Sequence, residues 1–162
     1  MRKAIKLAAA LVVGSLAVAG AQAQEERKTP YWASIAAGEA LMRTGPGKNY
    51  PGIWLYKRAD LPIKVVEVYP SWRKVQDPDG ATGWMLVNLL SDTRTAIVRG
   101  NEPAPMHVEP NAASRVRYRA APGVVGRISD CAGNWCRFEA KGRRGYIGTD
   151  RIWGTDPGET VE

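Results

Sequence analysis

One histidine and two cysteines stand in 162 residues, which leaves little from which to build a metal cluster or a Cys–His nucleophile. Past the first two dozen positions no apolar pattern keeps a 3.6-residue period, and this excludes a helical core. Nor does any later apolar run approach the roughly 20 residues of a membrane helix. Basic residues are not gathered into a run. Ten basic and eight acidic residues fall between 24 and 98, and the same numbers fall between 99 and 162. Nucleic-acid binders concentrate positive charge on one face, so no nucleic-acid partner is expected.

The first stretch stands apart. Arg2, Lys3 and Lys6 precede an apolar run from Leu7 to Ala21, and Ala21-Gln22-Ala23 is a small-x-small site. This is the three-part pattern of a secretory signal peptide over 1–23, cut after Ala23; an uncleaved amphipathic anchor is the competing reading. The leader holds three of the 23 Lys+Arg, so 20 against 16 acidic residues leaves +4 rather than +7. The pattern implies a periplasmic or secreted protein, with no stable membrane insertion after cleavage.

Export gives the two cysteines a meaning. An even count in an oxidising compartment argues for a disulfide between Cys131 and Cys136. The four residues between them read as a hairpin loop that sets the two opposite each other across a strand pair. A CxxxxC redox pair or a metal site are the alternatives, but the first lacks CxxC geometry and the second lacks ligands beyond His107.

A short pattern occurs twice. Trp72-Arg73-Lys74-Val75 leads through a loop to Gly83-Trp84-Met85, and Trp135-Cys136-Arg137-Phe138 leads to Gly145-Tyr146-Ile147. The two tryptophans are 63 positions apart, and the Trp-to-Gly interval is 11 in one copy and 10 in the other. Such self-similarity marks a duplicated small module. Around it the chain alternates β-branched and aromatic residues with Gly, Pro and Asn clusters, the signature of short strands and turns. Tyr31–Ala36 reads as an edge strand, Pro62–Tyr69 as a long strand and Asp77-Pro78-Asp79-Gly80 as a tight turn. Asn88-Leu89-Leu90 reads as one helical turn and Thr95–Val98 as the last strand of the first unit. The seam then falls at Gly100–Pro105. The fold class is all-β, with a lead-in over 24–29, a first unit over 30–98, a second over 99–155 and a frayed tail over 156–162. Five short strands closing into a barrel suit units of this size.

These residues resemble a known family. Leu41-Met42-Arg43-Thr44-Gly45-Pro46-Gly47-Lys48-Asn49-Tyr50-Pro51 resembles the opening of bacterial SH3-like domains, and Trp72-Arg73-Lys74-Val75 with Gly83-Trp84-Met85 resembles their close. The likeness covers 31–98 and 104–155, and is strongest to tandem SH3-like proteins exported by Gram-negative bacteria. The second copy departs from the pattern, with His107 for Arg43 and Glu109 for Gly45. The resemblance implies two tandem SH3-like small β barrels after a cleaved signal peptide. It also implies a non-catalytic cell-envelope module that binds peptidoglycan, wall peptides or envelope proteins, without cofactors.

An enzyme needs a nucleophile–base pair, paired carboxylates or a metal set. His107 alone reads as a structural residue on a strand, and Asp77 with Asp79 reads as turn chemistry. Wall hydrolysis is therefore the remote alternative, and a periplasmic protein–protein scaffold the nearer one. Six Trp and six Tyr point instead to a binding surface, since aromatics give contact area at small entropic cost. The candidate ligand residues are Arg43, Tyr50, Trp54, Trp72 and Trp84. For Trp72 and Trp84, packing in the turn is the stronger reading; Tyr50 and Trp54, on or beside a loop, lean towards a ligand.

Overall fold

The structure, a computed structural model, describes residues 27–161. The leader over 1–23 and the start of the lead-in lie outside these residues. Every regular element in the described residues is a strand, apart from two single 3-10 turns.

Among the described residues two antiparallel sheets succeed one another, each of seven strands. The first is built from β1 (Tyr31–Ile35), β2 (Ala40–Arg43), β3 (Gly52–Tyr56), β4 (Pro62–Tyr69), β5 (Trp72–Gln76), β6 (Thr82–Leu86) and β7 (Leu90–Ser91). The second comprises β8 (Thr95–Val98), β9 (Ala104–His107), β10 (Val116–Ala120) and β11 (Val125–Ala132), followed by β12 (Trp135–Ala140), β13 (Arg143–Gly148) and β14 (Ile152–Trp153). Their spatial orders, β3-β2-β6-β5-β4-β1-β7 and β10-β9-β13-β12-β11-β8-β14, are the same with seven added to each strand number. The duplication thus extends to topology, and the 3-10 turns Val87–Leu89 and Thr149–Arg151 occupy matching places.

Alternation explains the cores. Ile63 and Val65 of β4, Val75 of β5 and Met85 of β6 point inward with Ile35 and Met42, all fully buried. In the second sheet Ile128, Phe138, Ile147 and Met106 take those places, joined by the two cysteines. Each core is small, and closing the sheet around it hides most of the ladder edges.

The structure corrects several expectations. Tyr31–Ile35 is not an edge strand: it lies between β4 and β7, because β7 takes up the backbone at Ser34 and Ile35 on the side away from β4. Thr95–Val98 is not the end of the first unit but the opening strand of the second sheet, paired with β11 and β14. The seam therefore falls at Asp92–Arg94, earlier than Gly100–Pro105. Seven strands replace the expected five because a strand before the opening segment and a two-residue strand after the 3-10 turn join each sheet.

The segment after Gly154 is docked rather than frayed. Arg94 donates to both Glu159 carboxylate oxygens at 2.7 and 2.9 Å, and Val161 exchanges backbone bonds with Cys131. Asp156 reaches the first sheet, accepting from the Trp32 indole at 2.9 Å and from Lys64 at 2.7 Å. Trp32 and Trp153 meet edge to face at 4.7 Å, and Arg99 donates to the Pro78 carbonyl at 2.7 Å. These contacts tie the two barrels together.

Cys131 and Cys136 form a disulfide, with Cα atoms 4.0 Å apart. Ala132 pairs directly with Trp135, so the loop is the two residues Gly133-Asn134 and not four. Gly133 has φ of 60°, which suits a residue without Cβ. The cysteines occupy the register positions of Val68 and Arg73 in the first sheet.

Replacing both cysteines by serine removes a loop constraint of about 2 kcal/mol. Hydrogen exchange should then accelerate in β11 and β12 while β4 and β5 keep their protection; unchanged exchange in β11 and β12 would remove the staple's role. Acid should release the tail. Burial pushes the Glu159 carboxyl up, but the bonds from Arg94, the Asp156 amide and Thr155 outweigh it and leave the pKa lowered. The folded protein therefore binds fewer protons than the unfolded chain. The docked tail is fully stabilised above the ordinary carboxylate range and loses that stability as pH falls through the lowered value. Amide protection at Val161 should fall with pH in the wild type and be weak at every pH in Glu159→Gln.

Candidate functional site

The sequence-predicted residues of the first barrel fall into two groups. Arg43 ends β2 and pairs in register with Trp84 of β6, which in turn stands opposite Lys74 of β5. Trp72, on the same face of β5 as Lys74, lies opposite Leu86. Trp72 and Trp84 are 7% and 9% exposed, so little of either ring is left for a ligand. Tyr69 stacks edge-on against Trp84 at 6.2 Å and Lys74 lies 6.0 Å above its ring, which accounts for the burial.

Tyr50 and Trp54 behave differently. They are 42% and 60% exposed, and Ile53 and Leu55 beside Trp54 are exposed as well. All but Tyr50 lie on β3, the end strand of the first sheet. β3 carries no charged residue. Its counterpart β10 reads Val-Arg-Tyr-Arg-Ala, with Arg117 and Arg119 exposed.

Backbone bonds shape the opening loop in the same way in both barrels. Thr44 N–H bonds the Pro51 carbonyl, and Val108 N–H bonds the Arg115 carbonyl; Tyr50 N–H bonds Gly47, and Ser114 N–H bonds Asn111. Across each loop one side chain reaches back. Arg43 donates to the Tyr50 carbonyl at 2.7 Å, and His107 Nδ1 donates to the Ser114 carbonyl at the same distance. Arg43 and His107 are thus equivalent latches, a role the sequence motif did not reveal. His107 is buried and stacks edge-on with Trp135 at 5.2 Å.

The departures at the loop are coupled. A Cβ at Gly45 would collide with the Tyr50 ring, so Tyr50 can lie there only over glycine. In the second barrel the ring is replaced by Ser114, Glu109 fits in place of Gly45, and its amide bonds the Ser114 hydroxyl at 3.0 Å. The exposed aromatic of the first loop therefore has no counterpart in the second.

Behind the edge strand, Tyr56 turns inward. Its hydroxyl donates to Asp77 at 2.8 Å, and Asp77 accepts further bonds from the amides of Asp79 and Ala81. Burial first, and then the bond to Asp77, hold the Tyr56 hydroxyl far above the usual phenol range, so it remains a donor. Asp77 thereby fixes both its own turn and the base of β3. Among the described residues no three of His, Cys, Asp or Glu stand together as a metal set.

A family model described as bacterial SH3 domain matches the chain twice, over residues 36–92 and 100–154. Among solved structures, NlpC2 from Trichomonas vaginalis aligns at 15% identity and TM-score 0.36, over 80% of this chain and 49% of that one. NlpC1 from the same organism aligns at 14% and 0.36, over 82% and 49%. An NlpC/P60 family protein from Bacillus cereus aligns at 12% and 0.35, over 78% and 57%. The chain spans roughly half the length of these solved proteins. A search of curated proteins gives no match.

Tyr56→Phe tests the buried pair. Losing a donor to a buried carboxylate that keeps two amide donors should cost about 1.5 kcal/mol in urea unfolding. An unchanged midpoint would show that Asp77 is satisfied by its turn alone.

Proposed function

The chain belongs to the bacterial SH3 domain family, in two tandem copies, and from that premise we propose a non-catalytic binding module of the cell envelope. Its ligand is peptidoglycan or a wall peptide, taken along the free edge of the first barrel. The observation that carries this reading is the composition of β3. Native sheets guard their open edges with charge, proline or bulges. β10 follows that practice with Arg117 and Arg119, whereas β3 offers Ile53, Trp54 and Leu55 to solvent. An extended peptide added beside β3 would pair its unmet backbone groups, with Trp54 and Tyr50 supplying the contact area. Lys48, Lys57 and Arg58 are exposed around this edge and suit a peptide that carries carboxylates. Arg43 holds the loop beneath Tyr50, while Trp72 and Trp84 form the packed support. The leader pattern at 1–23 agrees with a periplasmic or secreted place of action.

Sedimentation with purified sacculi over a salt series tests the proposal. The wild type should co-sediment in a salt-resistant manner, and Trp54→Ala should weaken binding by at least about tenfold. No sedimentation of the wild type would overturn the wall ligand and turn attention to an envelope protein partner. Turnover of wall fragments by the purified protein would overturn the non-catalytic reading.

A further inference from the structure

The second barrel departs from the first at one end in a way that creates a pocket. Ala120 stands opposite Ala104 as Tyr56 stands opposite Ala40. Ala140 precedes the β12–β13 turn, paired with Arg143, at the place where Asp77 bonds across its turn to Ala81. The phenol and carboxylate that bond each other in the first barrel are therefore both alanine in the second. Two truncations at facing positions leave a hole unless a larger neighbour fills it. Here the space stays open as a pocket of about 420 Å³.

Its chemistry is divided. Met106, Ala120, Val124 and Ala140 make an apolar floor, with Tyr118 as one wall. Arg119, Lys141 and Arg143 stand on the rim, all exposed, and among the described residues no carboxylate lines the space. The Arg143 guanidinium lies 5.7 Å from the Tyr118 ring, a contact that draws a cation to the mouth of the pocket. The turn Lys141-Gly142, with φ of 50° and 74°, fixes the third cation beside it. Pockets of this volume with an apolar body and a few charged groups on one side take small ligands of matching polarity.

We infer that this pocket captures the C-terminal residue of a peptide, with its apolar side chain on the Met106–Val124 floor and its free carboxylate on the Arg119, Lys141 and Arg143 rim. Charge complementarity sets the anion, because three cations meet no counter-charge in the lining. The floor sets the apolar side chain. A peptide rather than a free acid is indicated by β10. Arg119 belongs to that strand, which is the end strand of its sheet, so the backbone of a peptide whose last residue fills the pocket lies beside Arg117 and Arg119, which favour a chain carrying carboxylates over an uncharged one. The site lies in the second barrel and does not depend on what the first barrel's edge binds.

Calorimetric titration of the full chain with the tripeptide Ala-Ala-Phe, with its C-terminal amide and with free phenylpropionate tests this. The tripeptide should bind saturably, and the amide and the free acid should each bind at least about tenfold more weakly. Arg119→Gln with Arg143→Gln should cost about tenfold. Ala120→Tyr with Ala140→Asp installs the pair that already folds in the first barrel. It should abolish tripeptide binding while the melting curve and sacculus binding persist. Equal affinity for the amide, equal affinity for the free acid, unchanged binding in the filled variant, or no saturation below about 10 mM would each overturn the assignment.

Discussion

Each barrel closes at a point where two strands come too close for a side chain to fit without a shift. β2 meets β6, and β9 meets β13, at a single register position, Arg43 with Trp84 in one barrel and His107 with Tyr146 in the other. Next to that pair stands a glycine. A Cβ on Gly83 would lie 2.8 Å from the Arg43 carbonyl oxygen, and one on Gly145 would lie 3.0 Å from that of His107. The first would push the strands apart along that line, and the second would crowd them by a few tenths of an ångström. The aromatic after each glycine covers the crossing from outside, and the apolar residue after that, Met85 or Ile147, seals it from within. The repeated Gly-aromatic-apolar triplet is thus a closure device, and the position of the opening loop depends on it.

Around this shared closure the two copies have diverged in coupled pairs. Gly45 with Tyr50 becomes Glu109 with Ser114; Tyr56 with Asp77 becomes Ala120 with Ala140; Val68 with Arg73 becomes Cys131 with Cys136. In each case the two positions face each other, so one change without the other would leave a clash, a stranded carboxylate or a lone thiol. Arg73 illustrates the third. It donates to the Tyr31 hydroxyl and to two nearby carbonyls, and so braces the turn that the disulfide braces in the second barrel. The even distribution of charge between the halves conceals a difference in kind: the second unit's cations are almost all arginine and include those on its free edge strand.

Much of the fold was legible because it rests on local signals. Alternation over Pro62–Tyr69, the Asp-Pro-Asp-Gly turn and the Trp-to-Gly interval all report short-range chemistry. Even the one-residue difference in that interval has a plain origin. The first copy turns through Pro78-Asp79-Gly80 and the second through Lys141-Gly142. What escaped is non-local. Thr95–Val98 has the same composition whichever sheet it joins, and only pairing with β11 decides. The tail has the Gly, Pro and acidic content of a frayed end, yet Arg94, Cys131 and Lys64 hold it from three distant positions. Of the site, exposure of Tyr50 and Trp54 agreed with their place beside a loop. The latch formed by Arg43 and the paired loss of Tyr and Asp required knowing which residues face each other.

The way the barrels are joined bears on what each leaves free. The contacts between them use the outer face of β1 and β4, through Trp32 and Lys64, and the turn at Pro78, through Arg99. Trp32 has no aromatic equivalent in the second sheet, where register places Thr95, so this face is specialised for the junction. A bulky indole there would be an exposed liability in an isolated barrel. Covered by Trp153 and Asp156, it becomes the anchor of the pair. The strands at the other end of each sheet, β3 and β10, take no part in these contacts, and one is apolar while the other is basic. Were both edges to bind as proposed, the second association would be intramolecular and strengthened accordingly. The junction residues therefore fix how the apolar edge of one barrel is held relative to the basic edge of the other.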